Sequence, residues 1–279
     1  MPVHLPRTID EATRILSEDP EATVLGGGTD VMVEVNFNHR KPRSVLALRH
    51  VPELRNWTID KDSGTLRIGA LVPYAQMESG DIASAVPALA QAARTVGSPQ
   101  IRAAGSIGGN LGTCSPAGDS LPVLAALDAT VHVASTSGTR DVKFADFMTG
   151  PKRNSLLPGE LIVAVTLPVQ NGRQGYAKVG VRNAMVISVA SACFAFQDGS
   201  VRLALGSVGP VIIRCTDAEA FANGVIDSSG RLSPADAKRF GELAAAEARP
   251  IDDHRSTAAY RRHAIGVLAE RLALRGAQQ

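Results

Sequence analysis

The chain has 279 residues and a mass of 29.2 kDa, with 29 Lys and Arg against 27 Asp and Glu and a formal charge of +2. A hydrophobic content of 44% excludes a disordered or collagen-like chain. Near-neutral charge with 4% aromatic residues argues against a nucleic-acid binder that relies on phosphate attraction and base stacking. The length suits about two domains or subdomains. The longest apolar stretches, 121–133 and 186–196, are interrupted by Asp128 and His132 or closed by Gln197 and Asp198. Neither approaches the roughly 20 residues of a membrane helix. Residues 1–7 lack the basic flank and apolar core of a signal peptide, so a cytoplasmic location is expected.

Along the chain the pattern mixes helix and strand. Thr8-Ile9-Asp10-Glu11 reads as a capping box, followed by an apolar helical face of Ile9, Ala12, Ile15 and Leu16. Asp19-Pro20 ends that helix. Residues 22–25 read as a buried strand and 45–48 as another. The turn Asp62-Ser63-Gly64 predicts a hairpin from Trp57 to Ala70. Residues 84–96 read as a helix with Pro87 in its first turn, and 161–167 as a strand. A distinct C-terminal part begins near Gly175: strands over 186–196 and 201–205 around an Asp198-Gly199 turn, then helices starting near Thr216, Ser233 (with Asp236 as its capping partner) and Ser256. The last helix carries Tyr260, Val267, Leu268 and Leu272 as an apolar set, available for internal packing or for a partner chain.

Two glycine-rich segments carry the chemistry. In the first, a strand runs into Gly26-Gly27-Gly28-Thr29-Asp30-Val31, where residues without a Cβ let a phosphate approach and consecutive N–H groups can form an anion nest. It is neither a Gly-x-Gly-x-x-Gly fingerprint nor a Walker loop. The second, 105–113, adds Ser106, Asn110 and Thr113 as neutral hydrogen-bonding groups beside Gly108 and Gly109. Each alone also fits a tight turn or glycine-rich hairpin. Together, about eighty residues apart, they read as two jaws of one pyrophosphate clamp. Asp119, just beyond the second jaw, suits either a ribose diol or the cap of a helix over 120–127.

The histidines His4, His39, His50, His132, His254 and His263 show no paired spacing, and Cys114, Cys193 and Cys215 are too scattered for a metal site. An iron–sulfur cluster normally takes four thiolates, so any such cluster belongs to another chain.

At these residues the sequence resembles the FAD-binding medium subunit of the molybdenum hydroxylases, the xanthine dehydrogenase and carbon monoxide dehydrogenase family. The motifs are Gly-Gly-Thr-Asp at 27–30, Gln-Ile-Arg at 100–102, Ser-Ile-Gly-Gly-Asn at 106–110 and Ser-Pro-Ala-Gly-Asp at 115–119. Leu-Leu-Pro-Gly-Glu-Leu-Ile at 156–162 and Tyr-Ala-Lys-Val-Gly-Val-Arg at 176–182 follow, then Pro-Ile-Asp-Asp at 250–253 and Tyr-Arg-Arg at 260–262. The resemblance implies an α+β fold: a two-subdomain FAD-binding domain (PCMH-type) of residues 1–55 and 56–170, then a smaller C-terminal domain, 171–279, with an antiparallel sheet and helices.

It further implies that Gly26 to Val31 wrap one side of the FAD pyrophosphate and Ser106, Ile107, Gly108, Gly109 and Asn110 the other. Thr113 and Asp119 would lie along the pyrophosphate, ribityl or ribose region. Ile101 and Ile162 would also meet the cofactor, and Tyr176 and Lys178 would approach the flavin ring, where a cation stabilises the anionic reduced form. From position alone, Lys178 also reads as a solvated edge-strand lysine and Tyr176 as packing. The implied partners are a large molybdenum-cofactor subunit and a small [2Fe–2S] subunit, assembled as a dimer of heterotrimers. Against the family pattern stand Ala103 for an Asn, Ser106 for a Thr, and Asn183-Ala184-Met185-Val186 where an Asp is common. The extra cysteines of the hydroxybenzoyl-CoA reductase type are absent. The expected function is electron transfer from partner clusters through FAD to an external acceptor, with no catalytic side chain on this chain. The alternative is a stand-alone FAD-dependent oxidase or dehydrogenase of a small molecule, or a colourless scaffold with vestigial glycine loops.

Overall fold

The computed structural model describes residues 1–275 of the chain. The first unit alternates β1 (Val3–His4), α1 (Ile9–Glu18), β2 (Thr23–Leu25), α2 (Val31–Asn36) and β3 (Val45–Ala47). Its three strands form a parallel sheet in the order β1-β3-β2, with β3 buried at the centre. Thr8 caps α1 through the Glu11 N–H, as the capping box requires. The Glu11 carboxylate reaches one residue further back than expected, to the N–H of Arg7. The strand expected to be buried over 22–25 is corrected: β2 is an edge strand with Val24 38% exposed, because only one side of it has a neighbour.

The second unit follows in chain order. Strands β4 (Trp57–Asp60) and β5 (Thr65–Gly69) form the expected hairpin, with Gly64 at φ +62° and the Asp60 carboxylate accepting from the N–H groups of Asp62 and Ser63. Next come α3 (Tyr74–Met77), α4 (Gly80–Ala85), α5 (Pro87–Thr95), α6 (Pro99–Ala104), α7 (Ile107–Thr113) and α8 (Leu121–Ala126). The helix expected over 84–96 is thus two helices, because Val86 precedes Pro87 and is forced out of the helical region. Then β6 (Thr130–Ser135), β7 (Gly138–Lys143), α9 (Phe144–Phe147), β8 (Met148–Gly150), β9 (Arg153–Asn154) and β10 (Leu161–Pro168) complete the unit. The antiparallel order β4-β5-β10-β6-β7 puts β10 in the middle, which is why its residues are buried on both faces. One hydrophobic cluster joins α1 and β3 to this sheet without a break at residue 55.

The C-terminal unit is an antiparallel sheet, β11 (Arg173–Val179), β12 (Ala190–Gln197), β13 (Ser200–Gly206) and β14 (Ile213–Arg214), covered by α10 (Thr216–Val225), α11 (Pro234–Glu247) and α12 (Ala258–Leu274). The strand expected from Val186 starts only at Ala190, because the carbonyls of Val186 and Val189 accept from the side chains of Lys178 and Arg261 instead of from a ladder. Ser233 caps α11 and bonds the Asp236 carboxylate, as expected. Helix α12 buries Arg261, Ala264, Ile265, Leu268, Ala269, Leu272 and Ala273, so it packs internally; Tyr260, expected on that face, is 49% exposed. The last four residues of the expected 171–279 domain lie outside the described range. The C-terminal sheet docks on α5 and α8, and Asp128, following α8, pairs with Arg202 and Arg214 across the joint.

Candidate cofactor-binding site

The two glycine-rich segments lie against each other. Gly27 has no room for a side chain, since a Cβ there would overlap the Ala104 carbonyl at the end of α6. A Cβ on Gly26 would meet the Leu71 side chain at 3.0 Å and Ser106 Oγ at 3.9 Å, and one on Gly105 would meet Thr29 Oγ1 at 3.4 Å. Gly28, at φ +74°, takes the left-handed conformation that turns the chain into α2. Thr113 Oγ1 then donates to the Asp30 carboxylate at 3.2 Å, tying the end of α7 to the first segment. Among the described residues the N–H groups of Gly27, Gly28, Thr29 and Asp30 donate to no acceptor in the protein. Four consecutive free donors at a glycine turn are the groups from which an anion nest can be built.

The second segment differs from expectation. It is not a loop or hairpin but helix α7, capped by Ser106, whose Oγ accepts from the Gly109 N–H at 3.2 Å. The Gly108 N–H donates to the Ala70 carbonyl at 2.9 Å, and a Cβ there would lie 2.5 Å from Ala70 Cβ and 2.6 Å from its carbonyl oxygen. Its glycine is required by protein packing. Gly109 and Gly112, three residues apart on one face, are both exposed. A Cβ at Gly109 would touch only Ser106 Oγ at 3.4 Å, and one at Gly112 would touch nothing within 4 Å. The first turn of α7 is therefore already satisfied, and what it offers a ligand is a smooth face beside the nest. Ile107 is wholly buried in the core, and Ile162 is 7% exposed on β10, against which α7 packs. Ile101, on α6, is 36% exposed and leans on Gly97. Asn110 Oδ1 accepts from Ser120 Oγ at 2.7 Å, and Ser120 Oγ lies 3.1 Å from the buried Tyr74 hydroxyl.

Asp119 is neither a helix cap nor open to solvent. Its carboxylate, 8% exposed, accepts from Lys178 Nζ at 2.6 Å, the Tyr176 hydroxyl at 2.9 Å and Thr95 Oγ1 at 3.2 Å. The Lys178 ammonium also donates to the carbonyls of Thr95 at 2.8 Å and Val186 at 3.1 Å. Lys178 is thus not a solvated edge-strand lysine. This network stitches β11 to the helices of the second unit, and the Tyr176 N–H adds a bond to Gln91 Oε1 at 2.7 Å. Burial pushes the Asp119 carboxyl above the usual carboxylate range, opposed by Lys178 and by hydrogen bonds from Tyr176 and Thr95. Burial beside that carboxylate also holds the Tyr176 phenol well above its ordinary value, so it stays a donor. Tyr74, Gln91, Thr95 and Ser120 belong to no motif, so sequence reasoning had no signal for them. His132, unpaired in sequence, bridges Asp141 (2.6 Å) and Thr166 (2.7 Å) on β6, β7 and β10. Among the described residues no group of three or more His, Cys, Asp and Glu could hold a metal, and no helix is long and apolar enough to cross a membrane.

Comparison with known proteins agrees with this geometry. Residues 1–170 match the FAD-binding domain of molybdopterin dehydrogenases, and residues 176–275 match the C-terminal domain of the CO dehydrogenase flavoprotein. The chain is 38% identical over 192 residues to the nicotinate dehydrogenase FAD-subunit of Eubacterium barkeri, covering 66% of this chain and 64% of that one, just under two thirds of the relative. It is 30% identical over 278 residues to a putative xanthine dehydrogenase FAD-binding subunit of Escherichia coli strain K12, covering 96% and 93%. Among solved structures, quinoline 2-oxidoreductase of Pseudomonas putida 86 superposes with a TM-score of 0.90 at 25% identity, over 100% of this chain and 97% of that one. A nest of free donors beside a side-chain-free helix face, inside two matched domains that together run from residue 1 to residue 275, leads to one assignment: the chain belongs to the family of FAD-binding medium subunits of the molybdenum hydroxylases and is an oxidoreductase subunit.

Proposed function

We propose that this chain carries FAD as the electron-transfer subunit of a heteromeric molybdenum hydroxylase. In this reading a small partner supplies electrons from [2Fe–2S] clusters, a large partner oxidises the substrate at its molybdenum cofactor, and an external acceptor takes the electrons from this chain. The assembly is a dimer of heterotrimers in the cytoplasm, and residues 1–55, 56–170 and 171–279 act as two FAD-binding subdomains and a C-terminal domain. The observation that supports it best is the nest of free N–H groups from Gly27 to Asp30 beside the bare Gly109 and Gly112 face.

When bound, FAD takes up electrons singly and releases them singly or in pairs. The chain's own residues bind and orient. Gly26 to Val31 would hold the diphosphate through backbone donors, with the Asp30–Thr113 hydrogen bond fixing the width of the gap. Ser106 keeps α7 in place, and Ile101, Ile107, Asn110 and Ile162 shape the wall behind it. Tyr176 and Lys178 would lie toward the ring, their polar heads fixed by Asp119, so the cation near the ring is already partnered and its field is set by the fold. No proton-transfer group is needed for this role.

The test is functional isolation. The purified yellow chain should be reduced by dithionite yet leave aromatic aldehydes and N-heterocycles untouched, whereas the complex purified from its host should contain molybdenum and iron and turn one of them over. Turnover by the isolated chain would establish a stand-alone oxidase instead.

A further inference from the structure

Helix α2 has a composition and an environment that disagree. Its residues, Val-Met-Val-Glu-Val-Asn, are apolar on nearly every side, a pattern that belongs in a core. None of them is buried. Met32 is 45% exposed, Val33 51%, and Phe37 at the end of the helix 71%. At about 100° per residue these three fall within one arc of about 140° on the helix surface, with the exposed Asn36 between Met32 and Val33. Glu34 lies outside that arc, drawn away by Lys152 at 3.0 Å and Arg40 at 3.7 Å. A contiguous apolar patch on the order of a few hundred Å² usually marks an interaction site.

The surroundings say what kind of partner fits. Exposed Arg40, Lys41 and Arg43 follow the helix within seven residues and Lys152 flanks it, four cations against the carboxylates of Glu34 and, beside Arg43 at 3.9 Å, Glu21. A second copy would bring this basic rim against its own image, which like-charge repulsion opposes. We propose that the Met32–Val33–Phe37 face is a docking surface for a different protein chain that presents apolar side chains ringed by carboxylates. The inference rests on the heteromeric reading above and adds where the assembly grips this chain. The patch alone is smaller than the roughly 800 Å² a stable interface takes from each partner. It is therefore the apolar centre of a larger footprint, the part of an interface where aromatic and methionine side chains are enriched.

The experiment co-expresses the full chain with the molybdenum-cofactor and iron–sulfur chains of its host complex and measures assembly by sedimentation. The double variant V33D/F37D should keep its flavin and thermal midpoint as an isolated chain, since both side chains already face solvent, and should weaken assembly at least 100-fold. The milder Phe37→Ala should weaken it about tenfold. Amide exchange over residues 35–38, beyond the amides bonded to the Gly28 and Asp30 carbonyls, should slow in the complex and remain unchanged when FAD alone is added, and wild-type assembly should loosen as salt is raised. Wild-type assembly by the double variant would overturn the proposal while leaving the subunit reading intact. So would a wild-type homodimer that the variant converts to monomer, protection by FAD alone, or binding of phosphatidylserine vesicles that the variant loses. Failure of the wild-type chain to join either partner would overturn both this proposal and the subunit reading.

Discussion

Gly108 and Gly109 are neighbours in one short helix, yet the structure assigns them opposite duties, and alanine substitution separates the two. At Gly108 the added Cβ would come within 2.5 Å of Ala70 Cβ and 2.6 Å of the Ala70 carbonyl, which belongs to backbone held by its own bond to Val163. Neither side can yield cheaply, so Gly108→Ala should cost about 1–3 kcal/mol, the usual range for overpacking. At Gly109 the same methyl group meets only Ser106 Oγ at 3.4 Å, an ordinary contact. Replacing a helical glycine by alanine there should stabilise the FAD-free chain by up to about 1 kcal/mol, or up to about 2 °C in Tm for a chain of this size.

The methyl group would, however, stand on the bare face beside the nest and hold the diphosphate away. The loss of one charge-assisted hydrogen bond at about 1.5–3 kcal/mol corresponds to at least tenfold weaker FAD binding. The assay is paired: thermal unfolding of the apo chain, and titration of FAD followed by quenching of its fluorescence. Gly109→Ala should gain stability and lose affinity, while Gly108→Ala should lose stability. If Gly109→Ala binds FAD as tightly as the wild type, the α7 face is not where the cofactor lies.

Removing one member of the Asp119–Lys178 pair should be severe. Asp119→Asn or Lys178→Met should destabilise the chain by about 3–5 kcal/mol, because each strands a buried charge; the double variant should recover part of that loss, as a denaturation cycle would measure. The Arg140 guanidinium, bonded to Glu160 at 2.6 and 2.7 Å, holds that carboxyl below its usual range, with burial opposing. A lowered folded-state value means stability present above the unfolded value of about 4.3 and lost as pH falls through the folded one. Glu160→Gln should therefore be less stable by about 1 kcal/mol at pH 7, discounted because Arg140 is partly exposed, and the difference should shrink as pH falls through the folded-state value. All three cysteines are buried, with the Cys114 thiol pushed up to about 11 and the others higher still. Ellman's reagent at pH 8 should find no fast thiol in the native chain and three after unfolding; one fast-reacting thiol in the native state would contradict the burial.

Features written in local chemistry were legible in the sequence. The hairpin at 57–69 announces itself through Asp62-Ser63-Gly64, the caps at Thr8 and Ser233 through their spacing to Glu11 and Asp236, and the nest through its three glycines. The helical state of α7 was not legible, because its three glycines are poor helix formers; the carbonyl of Ala70 and the sheet beneath impose the helix from outside. The surroundings of Asp119 were equally hidden, since Thr95, Tyr176 and Lys178 lie 24, 57 and 59 residues away and no motif connects them. The exposure of α2 has the same origin: its sequence asks for a core that these 275 described residues do not provide.

Calorimetric titration of the flavin-stripped chain with FAD and, separately, FMN tests the central claim most directly, because the two share the flavin ring and differ in the diphosphate bridge and its adenosine. If the Gly27–Asp30 donors grip that bridge, one FAD should bind per chain and FMN at least 100-fold more weakly. Equal affinity for the two, or no binding of FAD, would contradict the account.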